Sequence, residues 1–313
     1  MSVLVTGGNG FVGSALVAAL ARLGRPVRPA MRAASGAGAV AVGAIGPATD
    51  WAAALAGVEC VVHAAARVHV LQEAAADPLA AFREVNVAGT RRLAEQAAAA
   101  GVRRLVYLSS VKVHGERTAP GSPFAADDPP APEDAYALSK WEAEQALAQV
   151  AAATGLEVVV VRPPLVYGPG VGGNLLRLLR LVERGWPLPL ALVENRRSLV
   201  GLDNLIDLLI TCLDHPAAAG KAFLVSDGVD LSTPELIRKM AAALGRRARL
   251  LPAPPALLRL AARLLGRAAE ADRLLGSLQV DIAATRRLLG WSPPLAVEEG
   301  LRRTVRGRAG HGA

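Results

Sequence analysis

The sequence predicts an α/β protein: a doubly wound parallel sheet of Rossmann type with a smaller, helix-rich C-terminal lobe. Three observations predict it. First, Val3-Leu4-Val5-Thr6 reads as a short buried strand, and the glycines Gly7, Gly10 and Gly13 carry it through a tight turn into an apolar-periodic helix. Second, strand-like runs at 2–6, 27–31, 59–64, 103–109 and 157–162 alternate with helical patterns at 11–23, 51–56, 78–100 and 134–154. That rhythm is the signature of βαβ units and hence of a parallel sheet covered on both faces. Third, the rhythm breaks after Arg162. Prolines and glycines punctuate 163–173, helical stretches follow at 174–184 and 203–215, and a strand-like run lies at 221–226. Helical patterns then recur at 234–244, 255–265 and 281–289. Residues 1–164 with about 196–226 are assigned to the sheet domain, and about 165–195 with 227–313 to the lobe. In such folds ligands bind beyond the carboxyl ends of the strands.

The 313 residues suffice for a full core. The first strand begins at Ser2 with no basic region before it, and the longest apolar runs are broken by Arg, Asp or Pro, so neither a secretory leader nor an integral membrane segment is expected. Cys60 and Cys212 lie far apart in apolar settings, without metal-ligand spacing, and read as buried free thiols of a cytoplasmic protein. No metal is expected. The net charge is +8, but the arginines are scattered and aromatic residues make up only 4% of the chain, so a nucleic-acid surface is not expected. The stretch 252–266 has the pattern of an arginine-bearing amphipathic helix. Contact with a membrane surface is conceivable for it, but the flanking prolines favour a lobe helix that buries its leucine face.

The glycine turn suits a dinucleotide, because it lets the backbone and a helix N-terminus approach a pyrophosphate. Gly7, Gly10, Phe11, Val12 and Gly13 are the expected contacts there. Which dinucleotide is used should be decided at the end of the second strand. An acidic side chain there would favour NAD, whereas the sequence reads Arg28-Pro29-Ala30-Met31-Arg32. Met31 and Arg32 are expected beside the adenosine ribose, with Arg32 pairing a 2′-phosphate and Arg28 a weaker candidate. NADP(H) is favoured, and NAD(H) remains possible. Farther on, Tyr136 and Lys140 stand four residues apart on one helix face. A phenol titrates near 10, too high for proton transfer at neutral pH unless a neighbouring cation stabilises its anion.

These elements, with His63-Ala64-Ala65-Ala66, Asn86-Val87-Ala88-Gly89-Thr90, Ser109-Ser110, Arg162-Pro163-Pro164 and Tyr167-Gly168, follow one another in a familiar order. The chain resembles an extended short-chain dehydrogenase/reductase of the NAD-dependent epimerase/dehydratase family over nearly its whole length. The resemblance implies that Ser110, Tyr136 and Lys140 are catalytic, with Lys140 also reaching the nicotinamide ribose. It implies cofactor contacts at Ala64, Ala65, Ala66, Ser109, Pro163, Leu165 and Val166, and a supporting role at the cofactor site for Asn86. Substrate contacts are implied for Ser110, Lys112, Tyr136, Asn174, Leu175, Arg197 and Arg273, with Asn174 and Arg197 meeting a diphosphate. Asp203 is expected to cap the helix that follows. Leu165 stands where many epimerases have an asparagine, which puts that diphosphate contact in doubt.

Finer features, among them the run from Ser109 to Glu116 and the segment Ser139–Glu144, are similar to bacterial nucleotide-sugar 4-ketoreductases of surface-polysaccharide pathways, of the N-acetylquinovosamine type. The expected reaction is therefore NADPH-dependent reduction of the 4-keto group of a UDP-4-keto-6-deoxy-N-acetylhexosamine. A UDP-sugar 4-epimerase is the alternative, and a non-catalytic dinucleotide sensor a further one. Dehydration is disfavoured, because Val111 and Lys112 follow Ser110 where an acidic pair is expected. Relatives pair their 78–100 and 134–154 helices into a homodimer, which makes a dimer possible here.

Overall fold

A computed structural model of the chain describes residues 2–36, 38–68, 77–119 and 121–309. In chain order the sheet half comprises β1 (Val3–Thr6), α1 (Phe11–Arg22), β2 (Val27–Met31), β3 (Val40–Ala41), α2 (Ala52–Leu55), β4 (Cys60–His63), α3 (Pro78–Phe82), α4 (Gly89–Ala99), β5 (Arg104–Leu108), α5 (Ala135–Thr154) and β6 (Glu157–Arg162). Then follow β7 (Leu165–Tyr167), α6 (Gly173–Glu183), β8 (Arg197–Gly201), α7 (Leu202–Asp214), β9 (Ala222–Leu224), β10 (Asp230–Leu231), α8 (Thr233–Ala243), α9 (Pro255–Leu264), α10 (Ala268–Leu275), α11 (Ala283–Leu289) and α12 (Val297–Ala309). The main sheet has seven strands in the order β3-β2-β1-β4-β5-β6-β9. All its pairs are parallel. The order reverses between β1 and β4, which opens the crevice where such sheets bind ligands.

The strand faces explain why the sheet is buried on both sides. Val3 and Val5 of β1 join one core with Leu16 and Leu20 of α1 and Leu205 and Leu209 of α7, while Leu4 joins the opposite core with Leu93 of α4 and Leu147 of α5. Val106 and Val159 continue the first layer, and Leu105 and Val158 the second. Successive residues point to opposite faces, so unbroken apolar strands fill two layers at once. The strands pair with Thr6 opposite His63 and His63 opposite Tyr107, so their carboxyl ends form one rim.

Several elements differ from the sequence reading. The helical pattern over 78–100 is α3 and α4 joined by a π-helical turn, Arg83–Ala88, which turns the buried Asn86 inward. Asp203 lies in the first turn of α7 rather than at its cap, which is Gly201, and pairs with Arg303. Arg28 is committed elsewhere, donating to the carbonyls of Ala54 and Ala56 behind α2. A second sheet, β10-β8-β7, was not anticipated, because strands of two to five residues carry too little periodicity to read. The helices α10 and α12 were also missed. In α12 the buried Val297, Leu301 and Thr304 recur at helical spacing among charged residues, a signal the sequence did contain. The leucine helix α9 has no buried residue, against the expectation that it packs its apolar face.

One buried ion pair ties α5 to the sheet. Arg162, at the end of β6, donates to both carboxylate oxygens of Glu144 at 2.5 and 3.1 Å, and Ser109 donates to the same carboxylate at 2.5 Å. The remaining Arg162 nitrogen is held at 2.8 Å by His114 Nε2 and at 3.0 Å by the Ala126 carbonyl. Burial and the guanidinium push the His114 pKa down to about 4, so the ring is neutral and can accept. Removing one partner of such a pair leaves an uncompensated buried charge. The variant Glu144→Gln is therefore expected to lose about 3–5 kcal/mol in urea denaturation; a loss under about 1 kcal/mol would show that the cluster is not structural.

Candidate active site

The rim of the sheet collects most of the residues singled out in the sequence. Gly7 takes a left-handed conformation, φ +68°, which only glycine adopts without strain, and its carbonyl accepts from Gly10 N at 2.8 Å. A Cβ on Gly13 would lie 2.1 Å from that same carbonyl oxygen. No side chain larger than hydrogen fits there, so α1 docks directly against the turn. Gly10 caps α1 without a side-chain bond, and no acidic residue occupies the first turn. The first amides and the positive end of the helix are thus left for an anion. Phe11 and Val12 open this helix, so the glycine turn has the construction a dinucleotide pyrophosphate needs.

The neighbouring loops close around it. Ala64, Ala65 and Ala66 follow β4, and Ala65 N donates to Thr6 Oγ1 at 3.1 Å. The Thr6 hydroxyl is also 2.6 Å from His63 Nδ1, and Thr90 Oγ1 is 2.9 Å from Nε2. Burial and the Lys140 charge push the His63 pKa down to about 3, so this ring is a neutral strut between strand and helix. Asn86 accepts from Arg67 N and donates to the Arg67 carbonyl and to Ser139 Oγ, which ties the loop after β4 to α5. Met31 is buried at the end of β2, with Arg32 exposed just beyond it.

Tyr136 and Lys140 occupy the first turns of α5. Asp134 caps the helix, its Oδ1 accepting from Ala137 N at 2.7 Å. Lys140 is buried; its ammonium donates to the Leu108 carbonyl at 2.7 Å and lies 4.4 Å from the centroid of the Tyr107 ring. Burial pushes its pKa down to about 7, with Glu144 pulling upward. Burial, with a smaller push from the Asp134 carboxylate, raises the Tyr136 phenol to about 12, while a hydrogen bond with Ser110 pulls it down. By itself, then, the chain holds Tyr136 as a neutral proton donor. Taking a proton from substrate would need positive charge beside the phenol. The Ser109 hydroxyl donates to Glu144, which gives this residue a structural tie at the rim.

A cleft of about 660 Å³ opens beyond the rim, and Ser110, Lys112, Tyr136, Asn174, Leu175, Arg197 and Arg273 all line it, with Pro163 and Leu165 alongside. Val166 follows Leu165 in β7 and lies half-buried. Lys112 is held by Glu116 at 2.5 Å and Asp134 at 2.7 Å. Asn174 sits in the first turn of α6. Arg197 Nη1 donates to the carbonyls of Arg273 at 2.7 Å and Gly276 at 3.1 Å, which anchors it on the C-terminal end of α10. Sequence reasoning missed Glu116, Arg177, Thr233 and Arg267 in this lining. It also gave no role to Glu144, although that residue lies one helical turn beyond Lys140.

Residues 3–226 match the model of the NAD dependent epimerase/dehydratase family. The chain belongs to that family. It is 46% identical to the UDP-glucose 4-epimerase of Vibrio cholerae, covering 97% of this chain and 94% of that protein. It is also 31% identical to the 2-alkyl-3-oxoalkanoate reductase of Stenotrophomonas maltophilia, over 97% and 98% of the two chains. Among solved structures, MoeE5 in complex with UDP-glucose and NAD superposes with a TM-score of 0.79 at 26% identity, covering the whole of both chains. The cofactor of the family is a nicotinamide dinucleotide, and the glycine turn fits one.

Two outcomes follow from the geometry. In Tyr136→Phe, turnover should fall by roughly 10²–10⁴ with dinucleotide affinity nearly unchanged, measured by steady-state kinetics and fluorescence titration. Near-normal turnover in the folded variant would remove Tyr136 from the chemistry. Lys140 titrates near 7 in the folded chain and at 10.5 when unperturbed, so between these values the unfolded chain binds the extra proton. The contribution of Lys140 to stability therefore rises with pH across that window and is lost as pH falls from 10.5 towards 7. Compared with Lys140→Met, the wild type should gain about 1–3 kcal/mol between roughly pH 7 and 9 in urea denaturation. Parallel pH profiles would contradict the depressed ammonium.

Proposed function

We propose that the chain interconverts the C4 epimers of a UDP-linked hexose. The observation that carries this reading is the near full-length likeness, at 46% identity, to the UDP-glucose 4-epimerase of Vibrio cholerae. It displaces the ketoreductase as the leading expectation. A bound nicotinamide dinucleotide would supply the hydride acceptor and donor. The chain's own part is proton management and orientation. Tyr136 takes the proton of the C4 hydroxyl as hydride leaves C4, and returns it when hydride comes back to the other face of the 4-keto sugar, which stays held by its diphosphate. The Ser110 hydroxyl orients the reacting oxygen. Protonated Lys140, one turn along α5, favours the phenolate that this exchange requires. Arg197 and the N-terminal turn of α6 with Asn174 hold the diphosphate, leaving the sugar free to turn between the two hydride steps.

A second reading keeps one specific observation. Arg32 stands exposed directly after β2 with no acidic residue at the strand end, which suits a 2′-phosphate and hence NADPH-dependent reduction of a 4-keto sugar. Purified protein with UDP-glucose separates the two. Appearance of the C4 epimer by chromatography, without net change at the nicotinamide absorbance, supports the epimerase. Stoichiometric NADPH loss with a 4-keto sugar, and no epimer, would replace it with the reductase. A cytoplasmic site of action fits the two free, buried cysteines. A homodimer through α4 and α5 is part of the same reading.

Arg197→Ala should raise the KM for the UDP-sugar about ten- to hundredfold, the worth of one charge-assisted hydrogen bond to a phosphate, and leave dinucleotide affinity unchanged. An unchanged KM would take the diphosphate away from Arg197.

A further inference from the structure

The lobe leaves the leucine stripe of α9 uncovered. On α9, Leu257 is 59%, Leu260 54% and Leu264 80% exposed, and Leu265 just beyond it is 74% exposed. Elsewhere in the lobe, where Leu188 and Ala191 pair with 249–251, Trp186 is 58% and Leu251 51% exposed. At about 100° per residue, Leu257, Leu260 and Leu264 form one stripe of α9, while Leu258 and Ala262 turn the other way. Leu258 packs against the lobe core. Beside the leucine stripe, Arg259 and Arg263 form a second outward stripe, and both are exposed.

The segment that carries α9 is basic, and the acidic residues nearest in sequence, Glu270 and Asp272, lie on α10. Between residues 246 and 267 the chain carries six arginines, Arg246, Arg247, Arg249, Arg259, Arg263 and Arg267, and no acidic residue. All six are exposed. A second copy of the chain would bring the same arginines face to face, so self-association is opposed by like charge. Nucleic acid would use the arginines and leave the leucines in water. A leucine stripe flanked by arginines is instead the composition of a helix that lies in a bilayer interface. Among the described residues no helix is long and apolar enough to cross a membrane, and α9 with its ten residues could only lie on one.

We propose that α9 docks this protein on an anionic phospholipid bilayer, its leucine stripe in the acyl boundary and Arg259 and Arg263 among the headgroups. Arg267 connects α9 to the cleft along the chain, for it closes the basic segment, precedes α10 and lines the cleft wall with Glu270, Arg273 and Leu274. The reaction would then take place at a membrane surface. This goes beyond the proposed epimerisation and does not depend on it.

Sedimentation of the full chain with phosphatidylglycerol/phosphatidylcholine vesicles, against pure phosphatidylcholine, tests the proposal. The wild type should pellet with the anionic vesicles and stay in solution with the neutral ones. The triple variant Leu257→Gln, Leu260→Gln, Leu264→Gln should bind at least about tenfold more weakly. The double variant Arg259→Glu, Arg263→Glu should bind at least about twenty-fivefold more weakly, since each arginine near an anionic surface contributes roughly fivefold. Circular dichroism and dinucleotide titration show that both variants are folded, without reference to turnover. Three results would overturn the proposal. The wild type stays in solution with anionic vesicles, the glutamine variant binds as well as wild type, or light scattering shows a dimer that only the glutamine variant abolishes while vesicles are ignored.

Discussion

The Arg162–Glu144 ion pair is the constraint on which the site depends. Glu144 lies on α5 one turn past Lys140, and Arg162 ends β6, so the pair fixes the rotation and height of α5 against the sheet. Ser109 and His114 complete its hydrogen bonds, and both flank Ser110 along the chain. The three proposed catalytic side chains are therefore positioned by a single buried cluster that touches none of the reacting atoms. A buried charge pair contributes little net stability over an apolar isostere, but it tolerates only one geometry. Proton transfer is sensitive to displacements of about an ångström, so that rigidity is of more use here than stability.

The electrostatics of the site are unfinished without its ligands. Burial works against both charged forms, raising the Tyr136 phenol and lowering the Lys140 ammonium. Bound ligands would reverse both shifts: phosphates favour the ammonium and raise the Lys140 pKa again, and an oxidised nicotinamide favours the phenolate and lowers that of Tyr136. The helix ends prepare for such charges. The N-terminus of α1 has no side-chain cap, and neither does that of α6, where Asn174 lies. The pocket thus binds charge with backbone groups that water would otherwise satisfy.

The lobe performs two tasks with the same short segments. Tyr167 of β7 donates to Asp227 at 2.6 Å, and Asp227 also accepts from Gly201 N and Asn204, which joins the small sheet to α7 and so to the main core. The lobe also holds Arg197 against the end of α10 and leaves the leucines of α9 exposed. A helix with an apolar stripe need not bury it in its own chain, and α9 does not.

The sequence by itself determined the sheet and its rim. Unbroken apolar strands between amphipathic helices admit few other topologies, and glycines spaced for one turn admit one backbone path, as the 2.1 Å approach at Gly13 demands. These are local constraints, carried by residues close together in the chain. The cleft-lining set was legible only through family resemblance, because Tyr136, Asn174, Arg197 and Arg273 lie far apart in sequence and no periodicity links them. Only the tertiary structure decided what depends on partners distant in the chain. It paired Arg28 with the end of α2, tied Ser109 to Glu144, and drew the strands of the small sheet from three separate segments. It also decided the fate of the leucines on α9. Their spacing specifies an amphipathic helix, but whether an apolar stripe meets protein or solvent is fixed by the packing of the whole lobe.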